Sequence, residues 1–148
     1  MYKSEAAFGR ALGAALKRRG AVVTRIETGL TSQGVPDMFV QFNGDLWLEL
    51  KNEPDIDHSD LSKMLMHNTY TAATIHWRPG QQAWALNYYN KHNKNKCSLT
   101  VVACNDFFML IPMTKHYHNN KVDIGCFDYY KTLDMLVREI LRRSSKGE

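Results

Sequence analysis

Apolar residues follow two rhythms along this chain, and the switches between them mark out an α/β protein. Phe8, Leu12, Ala15 and Leu16 recur at helical spacing, so residues 2–19 are expected to form a helix, with Ser4 as its N-cap and Gly20 as its stop. Ala21–Glu27 then reads as a first strand. Residues 36–42 and 45–51 alternate apolar and polar positions about Asn43-Gly44, the mark of a hairpin. Two more strands are expected at 97–104 and 107–112, turned by Asn105-Asp106. Helices are expected at about 60–70, at 79–92 with Pro79 as first helical residue, and at about 128–143. In the last, Leu133, Leu136, Val137, Ile140 and Leu141 form a stripe that fits either the sheet or a dimer seam. Residues 113–127 read as irregular. The pattern predicts one domain over 1–148: a central mixed five-stranded sheet flanked by helices.

Register decides what the hairpin can do. A two-residue loop puts Asp37 and Glu49 on opposite faces. A three-residue loop, Phe42-Asn43-Gly44 with Gly44 at positive φ, pairs Gln41 with Asp45, Phe39 with Trp47 and Asp37 with Glu49. Met38, Val40, Leu46, Leu48 and Leu50 then share an entirely apolar opposite face, so this register is expected. It gathers Asp37, Glu49 and Lys51. Two adjacent carboxylates repel unless a proton or cation lies between them. Carboxylate and phosphate oxygens are what Mg²⁺ prefers. A lysine beside them can orient or deprotonate water, or stabilise charge on a reacting phosphate. An ordinary surface hairpin with a cross-strand ion pair is the plain alternative.

Charge sharpens this picture. The net charge is +4, but residues 1–44 sum to +3, residues 45–60 to −5 and residues 61–148 to +6. An acidic island on a basic chain fits a cation site flanked by phosphate-binding surface, or simply a solvated acidic loop. Asp55, Asp57 and Asp60 lack the glycine and terminal glutamate of a calcium loop. No apolar run is long enough for a membrane span, and the N-terminus has no signal-peptide pattern. Cys97, Cys104 and Cys126 are odd in number and widely spaced, which points to a reducing compartment and argues against a disulfide framework or zinc site. His116 and His118 have no ligand-type neighbour at helical spacing and read as loop residues.

Gly34-Val35-Pro36-Asp37, an eleven-residue gap, and Glu49-Leu50-Lys51 resemble the PD-(D/E)xK nuclease superfamily. The arrangement is similar to archaeal-type Holliday junction resolvases and to phage-type VRR-NUC domains. The resemblance covers roughly residues 2–112; residues 113–148 match nothing in it. It implies a restriction-endonuclease-like core and a metal-dependent DNA endonuclease that leaves 5′-phosphate products. Asp37, Glu49 and the main-chain carbonyl of Leu50 would hold Mg²⁺, with Mn²⁺ as substitute, and Lys51 would position or activate water. Glu5, on the inward stripe of the first helix, matches a glutamate that reaches the metal site in that family; otherwise it is a helix-start acid. Arg78-Pro-x-Gln-x-x-Trp resembles the glutamine motif downstream of the VRR-NUC hairpin. Gln81 takes the matching position, with a buried structural amide as the equal alternative, and Gln82 points elsewhere.

DNA contacts are expected from Thr31, Ser32 and Gln33 in the loop before the hairpin, from Arg78, and from Lys17 and Arg18. The last two also suit the negative end of their helix. The resemblance favours branched DNA handled by a homodimer, since symmetric cuts need two equivalent sites. It also associates the chain with bacteriophages and a cytoplasmic setting, that of the host cell. A sequence-specific homing or restriction-type enzyme is the nearest alternative, with 113–148 as the recognition element. A non-catalytic DNA-binding protein is the alternative of another class.

Overall fold

The computed structural model describes residues 1–26, 34–57, 59–60, 62 and 71–145. Thr31, Ser32, Gln33 and nearly all of the helix expected at 60–70 lie outside them. Helix α1 spans Glu5–Arg18, and the Ser4 side chain caps it by accepting from the Ala7 N–H. The strands are β1 (Val22–Arg25), β2 (Met38–Gln41), β3 (Asp45–Asn52), β4 (Ala72–Thr74), β5 (Leu99–Ala103), β6 (Phe108–Pro112), β7 (Lys121–Asp123) and β8 (Tyr129–Tyr130). Helix α2 is Gln81–Lys91 and helix α3 is Leu133–Ser145.

The main sheet has six strands in the order β1-β2-β3-β5-β6-β8, and β4 pairs with β7 in a separate ribbon. Only β3 and β5 run parallel; the other neighbours are antiparallel. The five expected strands are present and a sixth is added, because Tyr129 and Tyr130 pair with Met109 and Phe108. Those tyrosines were expected to be helical. The helix starts later because the Thr132 hydroxyl accepts from the Met135 N–H, which fixes the cap there. Residues 113–127 are likewise more ordered than expected, with β7 between short 3₁₀ turns at His118–Asn120 and Ile124–Cys126.

The sheet carries a core on each face. Alternation sends Met38, Val40, Leu46, Leu48, Leu50, Val101 and Leu110 to one side, where α1 and the α3 stripe cover them. The α3 stripe is thus spent within its own chain. The other side holds Val102, Met109 and Ile111 against Ile75, Trp77, Ala85 and Ile124. Between β3 and β5 the chain must cross over, and this crossover carries β4 and α2 across the second face. No helix of the described residues is long and apolar enough to cross a membrane.

Candidate active site

The hairpin register is the three-residue one: Gln41 pairs with Asp45, Phe39 with Trp47 and Met38 with Leu48. One step further places Asp37 opposite Glu49. The turn itself differs from expectation. The positive-φ glycines among the described residues are Gly20, Gly34 and Gly80, so Gly44 does not use that freedom. The turn is held from outside instead. The Gly44 carbonyl accepts from the Phe42 N–H at 3.0 Å and from the Ser144 hydroxyl of α3 at 2.9 Å.

Asp37 sits where β2 begins. Its carbonyl accepts from the Ile26 N–H at 2.9 Å, and its Oδ2 accepts from the Leu50 N–H at 2.8 Å. In an extended strand the N–H and C=O of one residue leave on the same edge, so the Leu50 carbonyl also leaves on the edge that Asp37 borders. Glu49 and Lys51 project from β3 on the second face and are 5% and 1% exposed. Lys51 Nζ lies 3.4 Å from Glu49 Oε2 and 3.7 Å from Glu5 Oε1. Glu5 reaches this point because α1 starts at the open end of β3; its side chain remains 41% exposed. Gln81 donates to Glu49 Oε2 at 2.7 Å and accepts from the Arg78 N–H at 2.7 Å. Gln82 turns away, binding the Tyr117 carbonyl and N–H and the Asn120 amide oxygen.

One oxygen in this cluster stands apart. Glu49 Oε1 is buried and has no hydrogen-bond partner. Burial, then the neighbouring Asp37 charge, pushes the Glu49 carboxyl up to about 9, and Lys51 only partly opposes this. A buried, unpartnered carboxylate oxygen beside a second carboxylate is a place for a proton or a hard cation. The donor set of two carboxylates and one main-chain carbonyl, all oxygen, fits a divalent ion of the Mg²⁺ type. No cluster of three or more His, Cys, Asp or Glu side chains poised for a metal occurs among the described residues.

The raised Glu49 carboxyl has a pH consequence. Between its ordinary value of 4.5 and its folded value of about 9, the folded chain holds a proton that the unfolded chain has released. Stability from this group is therefore complete below about 4.5 and is lost as pH rises toward about 9. In EDTA the melting temperature is expected to fall across that window, and Mg²⁺ is expected to flatten the trend by taking the proton's place. Scanning calorimetry at several pH values checks this; a metal-free pH trend that persists unchanged in Glu49→Gln contradicts it.

The structure brings Asp37, Glu49, Lys51, Glu5 and Gln81 together, with Leu50 between them. Arg78 is exposed next to Gln81, so its guanidinium faces solvent beside the site. Lys17 and Arg18 are exposed at the opposite end of α1, twelve residues or about 18 Å along the helix from Glu5. Sequence reasoning passed over Glu53, the next residue in the row Glu49–Lys51–Glu53. It is buried and accepts from the His76 N–H at 2.6 Å while contacting His76 Nδ1 at 2.7 Å. This tie anchors the segment that delivers Arg78 and Gln81. The period-two alternation was the available signal. The close approach of Gly34 to Gly80 was also passed over: a Cβ on Gly34 would lie 2.1 Å from the Gly80 carbonyl oxygen.

No protein-family model and no curated protein sequence matches the chain. Among solved structures it is similar to Hjc of Archaeoglobus fulgidus, a Holliday junction resolvase from an archaeal hyperthermophile. The TM-score is 0.54 at 12% identity, covering 88% of this chain and 97% of that one. At that identity the likeness is one of fold.

Proposed function

We propose that this protein is a Mg²⁺-dependent DNA endonuclease that hydrolyses phosphodiester bonds in branched DNA, in the manner of Holliday junction resolvases and phage VRR-NUC-type enzymes. The observation that carries the reading is the unpartnered Glu49 Oε1, buried beside Asp37 and Lys51. The fold shared with an archaeal resolvase supports it. Asp37, Glu49 and the Leu50 carbonyl would hold the cation, with Mn²⁺ as a substitute. Bound there, a divalent ion polarises the phosphate and stabilises the departing oxygen.

The chain's own groups do the rest. Lys51, nearly water-free between Glu49 and Glu5, aims its ammonium at the attacking water and at the charge growing on phosphorus. Water oxygen bonds to phosphorus, the P–O3′ bond breaks, and a 5′-phosphate and a 3′-hydroxyl remain. Gln81 ties down Glu49 Oε2 and so leaves Oε1 free. Glu5 holds Lys51 from the solvent side, and Glu5 is also the residue placed to orient water or a second ion. Arg78, Thr31, Ser32, Gln33, Lys17 and Arg18 contact the DNA backbone. A homodimer would supply the two equivalent sites that paired cuts require.

Incubation with Mg²⁺ and either a four-way junction or a linear duplex tests this. Paired cuts favouring the junction are expected. Cutting at one linear sequence turns the reading to a homing or restriction-type enzyme. No cutting of any DNA with Mg²⁺ or Mn²⁺ leaves a non-catalytic DNA-binding protein.

A further inference from the structure

Helix α2 buries little of its own apolar surface. Gln81, Gln82 and Ala85 are its buried residues, all in its first half. Trp84 and Tyr88 stay half-buried and stack on each other, with 5.4 Å between ring centroids and 9° between planes. The row continues in both directions. Trp47 meets Trp84 at 5.5 Å, Phe39 lies 4.6 Å from Trp47, and Tyr88 passes to the exposed His92 at 4.3 Å. Phe39 and Trp47 occupy the hairpin face that carries Asp37 and Glu49. The rings therefore lead from the carboxylates along β3 toward its start.

Past that end, on the side of the sheet that α3 covers, lies a cavity of about 370 Å³ with Lys96 in its wall; Arg142 and Arg143 also line it but are held by Glu139, and Asp45 is the wall's one acid. Burial, then the Asp45 charge and Cys97, both of which line that cavity, push the Tyr88 hydroxyl above its ordinary value. Residues 78–96 contribute Arg78, Lys91, Lys94 and Lys96 and no acid at all. Aromatic rings in a row with cations beside them are what binds unpaired strands: bases stack on rings and phosphates meet the charges. A duplex keeps its base faces hidden and cannot use such a row. From Glu49 to Asp45 the strand covers four residues, about 13 Å, or roughly four stacked bases.

We propose that the Trp47–Trp84–Tyr88–His92 row, with Lys91, Lys94 and Lys96 following it, forms a track for a single-stranded DNA arm continuous with the scissile strand. The preferred branched substrate then carries an unpaired arm. The link to a scissile strand rests on the nuclease reading; the binding does not.

Anisotropy of 5′-fluorescein-labelled dT12, with EDTA present, tests the track. The wild type is expected to hold dT12 more tightly than a blunt 12-base-pair duplex. Tyr88→Ala is expected to weaken dT12 binding about tenfold, and Tyr88→Phe, which keeps the ring, to preserve it. Lys96→Glu is expected to weaken it and to lower the salt dependence by about one ion. Duplex binding of Tyr88→Ala stays as in the wild type, and its circular dichroism spectrum stays that of the folded protein although the melt falls with the lost ring contacts to Trp84 and His92. With Mg²⁺, a fork bearing a single-stranded arm is expected to be cut faster than a fully paired four-way junction, and Tyr88→Ala to erase that preference. Equal dT12 affinity in wild type and both Tyr88→Ala and Lys96→Glu overturns the track, as does equal cutting of fork and junction by the wild type. Tyr88-dependent dT12 binding by a protein that cuts nothing supports the track and overturns the nuclease reading. Cutting by a protein whose dT12 affinity ignores Tyr88 does the reverse.

Discussion

Lys51→Met is expected to lower the cleavage rate by about 10²–10⁴-fold while leaving the protein as stable as the wild type or more so. The two halves of this result come from the same geometry. Lys51 is 1% exposed, and its ammonium contacts Glu49 and Glu5 at 3.4 and 3.7 Å. A buried ammonium loses its hydration and recovers it only partly through such contacts. Replacing a whole buried ion pair by apolar residues is often neutral or stabilising by about 1–4 kcal/mol, and removing one partner costs about 3–5 kcal/mol only where the other is left charged. Glu49 is already pushed toward its neutral form by burial and Asp37, so losing the cation strands no fixed charge. The chemistry has no such substitute, because no other cationic side chain contacts Glu49 among the described residues. A purely structural lysine would give the opposite pattern, with rate and melting temperature falling together. Single-turnover cleavage of a junction, paired with a thermal melt, separates the two. A Lys51→Met enzyme within tenfold of wild-type rate removes Lys51 from the catalytic group.

Gly34→Ala is expected to destabilise the fold by about 2–4 kcal/mol and to cost most of the activity. Gly34 has φ of 88°, a region where a Cβ is strained whatever the space around it. There is also no space: the new Cβ would sit 2.1 Å from the Gly80 carbonyl oxygen and 3.1 Å from the Gln81 nitrogen. Gly80 itself caps α2 at φ of 90°, which is why the helix begins at Gln81 and not at Pro79 as expected. Relief of the clash has to move either the segment leading to Asp37 or the start of α2 carrying Gln81. Each movement pulls apart groups that meet at Glu49. A chemical melt gives the stability loss, and the same junction assay gives the rate. A Gly34→Ala protein that melts and cuts like the wild type shows that the two segments do not bear on each other.

Much of the hairpin was legible in the sequence because a strand has only two faces. Once Met38, Val40, Leu46, Leu48 and Leu50 are required on one face, Asp37, Glu49 and Lys51 must share the other, and the register follows. Helical spacing likewise placed Glu5 inward and separated Gln81 from Gln82, and the two amides do point to different partners. Short elements were illegible. A two-residue strand such as Tyr129–Tyr130 has no period to read and exists because β6 offers it an edge. The positive φ expected at Gly44 failed for a related reason: α3 holds the turn through Ser144, a contact a hundred residues away in sequence.

The hairpin from Gly34 to Lys51 thus owes its faces, its register and its two acids and lysine to local pattern alone. Periodicity is a property of neighbouring residues, and a sequence displays it directly. Whether those groups meet in one buried cluster was decided by the crossover between β3 and β5. That connection folds Gln81 onto Glu49, shuts water away from Lys51, and leaves Glu49 Oε1 buried without a partner. Burial and the missing partner depend on what packs from afar, and only the tertiary structure holds that information.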